Sequence, residues 1–241
     1  MSSAAVFPVS CLTCLARHAG LCEPLRDDEL SVVDKYRTSR HSFHKGHHIY
    51  HEGDVPEEVY SLTDGWVLIY HLMADGHRQI LEVLLPGAFF GFQPDLRAPI
   101  THSAVCLTAA SACSFSRVRI QELFQEHPEV GLRMIRMCAR DRVLLHEHIA
   151  NLGRRTARER IGHFLLQLYQ RVFDRQGQNA LVTLPLGQQD VSDVLGLSHV
   201  HTNRILQAFK AEGLIETGRG AIRIRNGRDL AEALGIQAAT G

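Results

Sequence analysis

The 241-residue sequence predicts an α+β fold: an antiparallel β-barrel or sandwich, a long helix, and a winged helix-turn-helix behind it. Three observations predict it. Glycine-punctuated strand-like runs fill residues 41–119, a nearly unbroken helical stretch runs from Glu129 to Leu152, and a helix, a glycine turn, a capped helix and a basic hairpin then follow in that order. A chain of this length can bury two cores of ordinary size. The expected division is a cysteine-rich segment over 1–26, a β-rich domain over 27–128, a long helix over 129–153 and a DNA-binding-type domain over 154–241.

Residues 1–26 hold three cysteines and little periodicity. Asp27-Asp28 then reads as a helix start, because carboxylates favour the positive end of the helix dipole, and Leu30, Val33 and Tyr36 share one face. In the β-rich part, Val67-Leu68-Ile69-Tyr70 and Ile80 to Leu84 lie between Asp-Gly pairs at 64–65 and 75–76, a hairpin signal. The helix over Glu129 to Leu152 carries a seam of Met134, Cys138, Leu145, Ile149 and Leu152 at near-heptad spacing, interrupted by Asp141 and Arg142, which suits a packed helix pair or a helix docked on its own domain. Gly153-Arg154-Arg155 reads as a hinge before a second amphipathic helix to Phe173.

The C-terminal part carries the strongest signal. Gln188, Gln189 and the residues to Leu195 form a short helix ending at Gly196. Ser198 is an N-cap for a second helix that exposes His199, Val200, Asn203 and Arg204 at its N-terminal end, while Thr202 packs with Ile205, Leu206 and Phe209 and is also counted with the DNA-binding set. That face is what a major-groove reader presents to base edges. Arg219, between Gly218 and Gly220, tips a basic hairpin suited to phosphates.

The formal net charge is zero, with 26 basic and 26 acidic residues, but it is unevenly spread. Up to Gly153 there are 14 basic and 18 acidic residues, and 12 and 8 beyond it. No apolar run reaches the length of a membrane span, and the start Met1-Ser2-Ser3-Ala4-Ala5 lacks the basic region of a secretory leader, so a cytoplasmic protein is expected. In a reducing compartment the six cysteines are core residues, metal ligands or redox sites rather than disulfides.

Lys45-Gly46 through Glu52-Gly53-Asp54, Gly65-Trp66-Val67, Pro86-Gly87-Ala88-Phe89-Phe90-Gly91-Phe92 and Val194-Leu195-Gly196-Leu197-Ser198 together resemble the CRP/FNR superfamily along nearly the whole chain. The resemblance implies a β-roll sensor domain of cyclic-nucleotide-binding-like jelly-roll form, a long dimerisation helix and a winged helix-turn-helix. It further implies a homodimer on two-fold symmetric double-stranded DNA, RNA polymerase as a partner, and binding rather than turnover. Cyclic-nucleotide-binding members carry a Gly-Glu pair and, further on, an Arg before Ser or Thr and Ala. Here Phe92 follows Gly91 and His102 precedes Ser103-Ala104, so a cyclic phosphate would be buried unpaired.

Cys11-x2-Cys14-x7-Cys22, with Cys113 far downstream, resembles instead the ligand set of the oxygen-sensing FNR branch, and Arg17-His18-Ala19-Gly20-Leu21-Cys22 is similar to a variant motif within it. That resemblance implies a 4Fe-4S cluster on these four thiolates, soft anionic donors that suit iron. A four-cysteine zinc site and unligated core thiols are the competing readings, the latter applying by default to Cys106 and Cys138. His44, His47, His48 and His51 around one hairpin leave open haem ligation in a regulator of the same fold, and a cupin-type metalloenzyme as the rival from another class.

Overall fold

A computed structural model describes residues 11, 14, 16, 20–23, 27–95, 97–176 and 181–236. The chain divides into two compact units, residues 1–142 and 143–241, and the division falls inside the long helix rather than at either end of it.

In the first unit a helix, α1 (Asp27–Tyr36), precedes eight strands: β1 (Ser39–Phe43), β2 (His48–Tyr50), β3 (Glu58–Asp64), β4 (Val67–Leu72), β5 (Arg78–Leu84), β6 (Phe89–Phe90), β7 (Ser103–Cys106) and β8 (Ala110–Ser116). They form two four-stranded sheets, ordered β1-β8-β3-β6 and β2-β7-β4-β5. The alternation read from the sequence puts Leu62, Val67, Ile69, Ala104, Cys106 and Ala112 into one apolar core with Tyr50, Tyr60 and Phe90. Of the two Asp-Gly hairpins expected, the one at 75–76 is present, β4 pairing antiparallel with β5, whereas the turn at 64–65 carries the chain from β3 in one sheet to β4 in the other and closes no hairpin.

Beneath this roll lies a second core. Leu30, Val33 and Tyr36 of α1 pack there with Ile120 and Leu123 of α2 (Arg117–Glu126) and with Val130, Met134 and Met137 of α3 (Pro128–Arg154). Ser116 caps α2 by accepting from Arg119 N, and Pro128 opens α3 at the position where its fixed φ suits a first turn. Met134 is 8% exposed in this core, which corrects the expectation that it lies on the helix seam. With Met134 turned inward, the outward row is Ile135, Cys138, Arg142, Leu145, Ile149 and Leu152, an unbroken three-four alternation in which Leu152 alone is partly covered. Asp141 lies beside that row, so Arg142 is its one polar interruption.

Gly153 does not break the chain. Helix α3 continues through Arg154, and α4 (Ala157–Gln176) begins only after Thr156. Thr156 and Glu159 cap one another: Glu159 Oε2 accepts from Thr156 N at 2.7 Å and Thr156 Oγ1 accepts from Glu159 N at 3.4 Å. The hinge expected at Gly153-Arg154-Arg155 is thus displaced to Arg155-Thr156.

The second unit continues with β9 (Val182–Leu184), α5 (Gln188–Leu195), α6 (His199–Ala211), β10 (Glu216–Gly218), β11 (Ala221–Ile224) and α7 (Gly227–Ala233). The sheet order β10-β11-β9 makes β10 and β11 the wing. No helix among the described residues is long and apolar enough to cross a membrane.

Candidate functional sites: a reading helix and a four-thiol cluster

Two short helices build the reading head. Gly187 N donates to Asp190 Oδ2 at 2.9 Å and starts α5. Gly196 ends it in the left-handed region at φ 60°, a conformation that costs a side-chain-bearing residue roughly 1–2 kcal/mol. Ser198 then caps α6 by accepting from His201 N at 3.3 Å. Val191, Val194 and Leu195 pack against Ile205, Leu206 and Phe209, and the opposite face stays open. His199, Val200 and Arg204 are exposed, Val200 at 80%, and Asn203 is partly so.

Gln188, Gln189, His199, Asn203, Gln207 and Arg219 line a cleft of roughly 340 Å³ between the reading helix and the wing. It is rich in amides and carries one guanidinium, the donor and acceptor set that meets base edges and phosphates. Arg219 adopts φ 43° at the wing tip, between two glycines. Thr202 does not belong to this surface. It is 0% exposed, with its hydroxyl unpartnered in the helix-helix interface, because it shares a helical face with Ile205, Leu206 and Phe209.

The second constellation gathers the cysteines. Cys11 and Cys22 pack against the same core that contains Cys113, a residue of β8, and Cys14 N donates to Cys11 O at 3.4 Å. The segment is docked by its own backbone. Gly20, at φ 65°, lies so close to the turn before β6 that a Cβ would come within 1.8 Å of Gly87 O, and Leu21 beside it is 1% exposed. Burial of one leucine stabilises the docking by about 2 kcal/mol. Arg17, His18 and Ala19 of the same motif lie outside the described residues.

Burial pushes the Cys22 thiol up to about 12, and the neighbouring Cys11, Cys14 and Cys113 sulfurs push the same way while Arg133 opposes them. Cys11 is raised to about 11 by burial, by its hydrogen bond to Asp34 and, in smaller part, by Cys113. Cys22 therefore feels the charge of the other three sulfurs, and Cys11 that of Cys113. Among the described residues no three His, Cys, Asp or Glu side chains converge tightly enough to hold a single ion. Cys106 belongs to the other core and Cys138 is exposed on α3.

The histidines expected around one hairpin lie instead on or next to β2 and in the link to it from β1, strands of different sheets, and make local contacts. His48 stacks on His51 at 4.5 Å and hydrogen-bonds Tyr70 at 3.1 Å, and His44 meets His47 edge-on at 5.2 Å. His102, where a cyclic-nucleotide binder would carry its arginine, pairs with the Tyr50 hydroxyl at 3.1 Å. Phe92 is 44% exposed. Arg117, which the sequence did not single out, is buried beneath β6 and donates to Gly91 O at 3.1 Å.

A cyclic nucleotide-binding domain model matches residues 40–127 and a Crp-like helix-turn-helix domain model matches residues 159–237. The chain is 29% identical over 214 residues to the nitrogen fixation regulation protein FixK of Bradyrhizobium diazoefficiens, covering 89% of each protein. It is 30% identical over 209 residues to the transcriptional activator protein FnrL of Cereibacter sphaeroides, spanning 85% of this chain and 83% of that one. The solved structure of FixK2 from Bradyrhizobium japonicum superposes with a TM-score of 0.71 at 28% identity, over 84% of this chain and 98% of that one. The β-roll, the long helix and the reading head, taken with these likenesses, make the chain a member of the CRP/FNR superfamily of transcription regulators.

Proposed function

We propose that this regulator senses oxygen or a related redox signal through a 4Fe-4S cluster held by Cys11, Cys14, Cys22 and Cys113, and that the cluster controls a homodimer on DNA. One observation carries the reading: Cys11 and Cys22 of the N-terminal segment pack against the same core as Cys113 of β8, and Cys22 lies within electrostatic reach of Cys11, Cys14 and Cys113. Four thiols, three partly buried and one buried, fit a cationic metal core, since metal binding takes up deprotonated sulfur and offsets its charge. When bound, such a cluster supplies an oxygen-labile centre. The chain's own residues hold the segment in place: Gly20 and Leu21 fasten it to the roll, and Arg133 of α3 reaches its backbone at Glu23.

The outward apolar row of α3 supplies the dimer seam, and the two reading helices then meet a two-fold symmetric site with half-sites roughly 34 Å apart. RNA polymerase is the downstream partner that family membership supports. The alternative with zinc on the same four thiols differs in colour and sulfide content. Protein purified anaerobically should be brown, with iron and acid-labile sulfide near cluster stoichiometry, and serine at any of the four positions should remove the colour. A colourless zinc-containing preparation, or a full cluster in Cys113→Ser, overturns the reading.

A further inference from the structure

Cys113 does not meet the other thiols alone. The antiparallel register of β1 with β8 sets Arg40 directly opposite Cys113, where cross-strand side chains are near neighbours, and Arg40 Nη2 donates to the Cys113 sulfur at 3.7 Å. Arg37, in the short link between α1 and β1, is the second cation. It lies within reach of the Cys113 sulfur and of the Asp34 carboxylate. Asp34, one helical turn earlier, bonds Arg37 at 2.6 Å and accepts from the Cys11 sulfur at 3.4 Å. Two guanidinium groups thus lie at one sulfur of the set and a carboxylate at another.

We propose that Arg37 and Arg40 are positioning residues that hold the Cys113 sulfur and balance the negative charge gathered by the four ligands, while Asp34 opposes them, so that these three side chains set the reduction potential of the bound cluster. The inference rests on the iron-sulfur reading above. A cluster's potential responds to net charge and to hydrogen bonds on its sulfurs. The metal core offsets only part of four thiolate charges, and one-electron reduction adds a further negative charge without moving an atom. Cations at Cys113 therefore favour the reduced state and an anion at Cys11 disfavours it. Asp34 also engages Arg37, so its carboxylate acts twice, directly and by drawing charge from its neighbour.

The test is a dye-mediated reductive titration of the full-length protein, reconstituted anaerobically, as wild type, Arg40→Gln, Arg40→Lys, Arg37→Gln and Asp34→Asn. Arg40→Gln and Arg37→Gln should move the midpoint to more negative values, by about tenfold in the reduction equilibrium, and Asp34→Asn should move it the other way. Arg40→Lys should recover most of the shift, because it restores the charge while losing the planar fork. Opposite signs separate this from a structural role, which would lower cluster content in every variant without a signed change in midpoint. Equal midpoints, or shifts of one sign in all variants, overturn the proposal. Should Arg40→Gln take up no cluster, Arg37→Gln and Asp34→Asn carry the same comparison. A wild type that takes up no iron and sulfide would instead sink the cluster reading itself.

Discussion

Arg133 of α3 donates from Nη1 to the main-chain carbonyl of Glu23 at 3.3 Å, one residue beyond Cys22. Arg140, two turns along the same helix, stands 4.0 Å from the Glu23 carboxylate. The helix proposed above to carry the dimer seam thereby contacts the cysteine segment, and the Arg133 contact is to backbone, so it depends on where the segment sits and not on which side chain occupies it. Arg133→Ala should leave cluster content near wild type while uncoupling it from assembly. Sedimentation before and after cluster removal checks this: the wild type should change its monomer-dimer balance several-fold and the variant much less. An equal response in both would dismiss the contact as a link.

Gly20→Ala tests the docking of the segment. The added Cβ meets the main-chain oxygen of Gly87 at 1.8 Å, and backbone cannot move aside as a flexible side chain can. The left-handed φ adds roughly 1 kcal/mol of strain. Cluster content should fall steeply while far-UV circular dichroism stays unchanged. Retention of full iron and sulfide by the variant would show that the segment docks elsewhere.

The seam gives a paired prediction. Ile135 is 64% exposed, Leu145 51% and Ile149 58%, whereas Met134 is 8% exposed. Leu145→Asp and Ile135→Asp should weaken self-association by placing a carboxylate in the apolar contact, with little change in melting temperature. Met134→Asp should instead destabilise the fold by about 3 kcal/mol or more, as an unpaired buried charge. Unaltered sedimentation of both exposed variants would move the dimer contact to another face.

What the sequence reveals and what it leaves hidden follows from the range of the signals. Strand alternation, Asp-Gly turns and the Gly196-Ser198 sequence are local, and they place the roll and the reading helices. Met134 and Ile135 are adjacent, and heptad spacing back from Cys138 admits either, so only packing against α1 and α2 decides between them. Thr202 has polar chemistry but its helical spacing joins it to Ile205 and Phe209, and spacing was the stronger guide. A glycine reads as a break, yet Gly153 stays helical and the chain turns at Thr156-Ala157-Arg158-Glu159, a capping box legible in the sequence. Arg40 beside Cys113 has no sequence signature at all, since it arises from the register between β1 and β8.

Acid should weaken the fold through two half-buried histidines. Desolvation lowers the pKa of His102 and His148 below the ordinary value of 6.5, so the folded state resists protonation that the unfolded chain accepts. There is no penalty above pH 6.5, and stability falls as the pH drops from there toward the folded-state values. His102→Asn should flatten the slope of melting temperature against pH over that window. An unchanged slope would assign the acid sensitivity to other groups.

The last prediction concerns base reading. Many members of the superfamily carry a glutamate at the second position of this helix, and here that position is Val200, 80% exposed at the start of α6. Arg204, four residues later and on the same face, is retained and exposed. A guanidinium takes guanine O6 and N7 together, whereas valine offers only apolar contact, such as with a thymine methyl. The half-site should therefore require one guanine and lose the requirement for the cytosine whose N4 amine a glutamate at this position would accept from, with Asn203 and His199 supplying any new preference. Arg204→Ala should cost about 1–3 kcal/mol on the best site and flatten selectivity at one position, while Arg219→Ala at the wing tip should weaken all sequences alike and lower the salt slope. Thr202→Val, which replaces a buried unpartnered hydroxyl, should leave sequence preference untouched. Selection from random DNA with each variant decides the assignment. Recovery of a half-site with the full cytosine requirement, or an Arg204→Ala protein with unaltered preference, would show that a different face of α6 enters the groove.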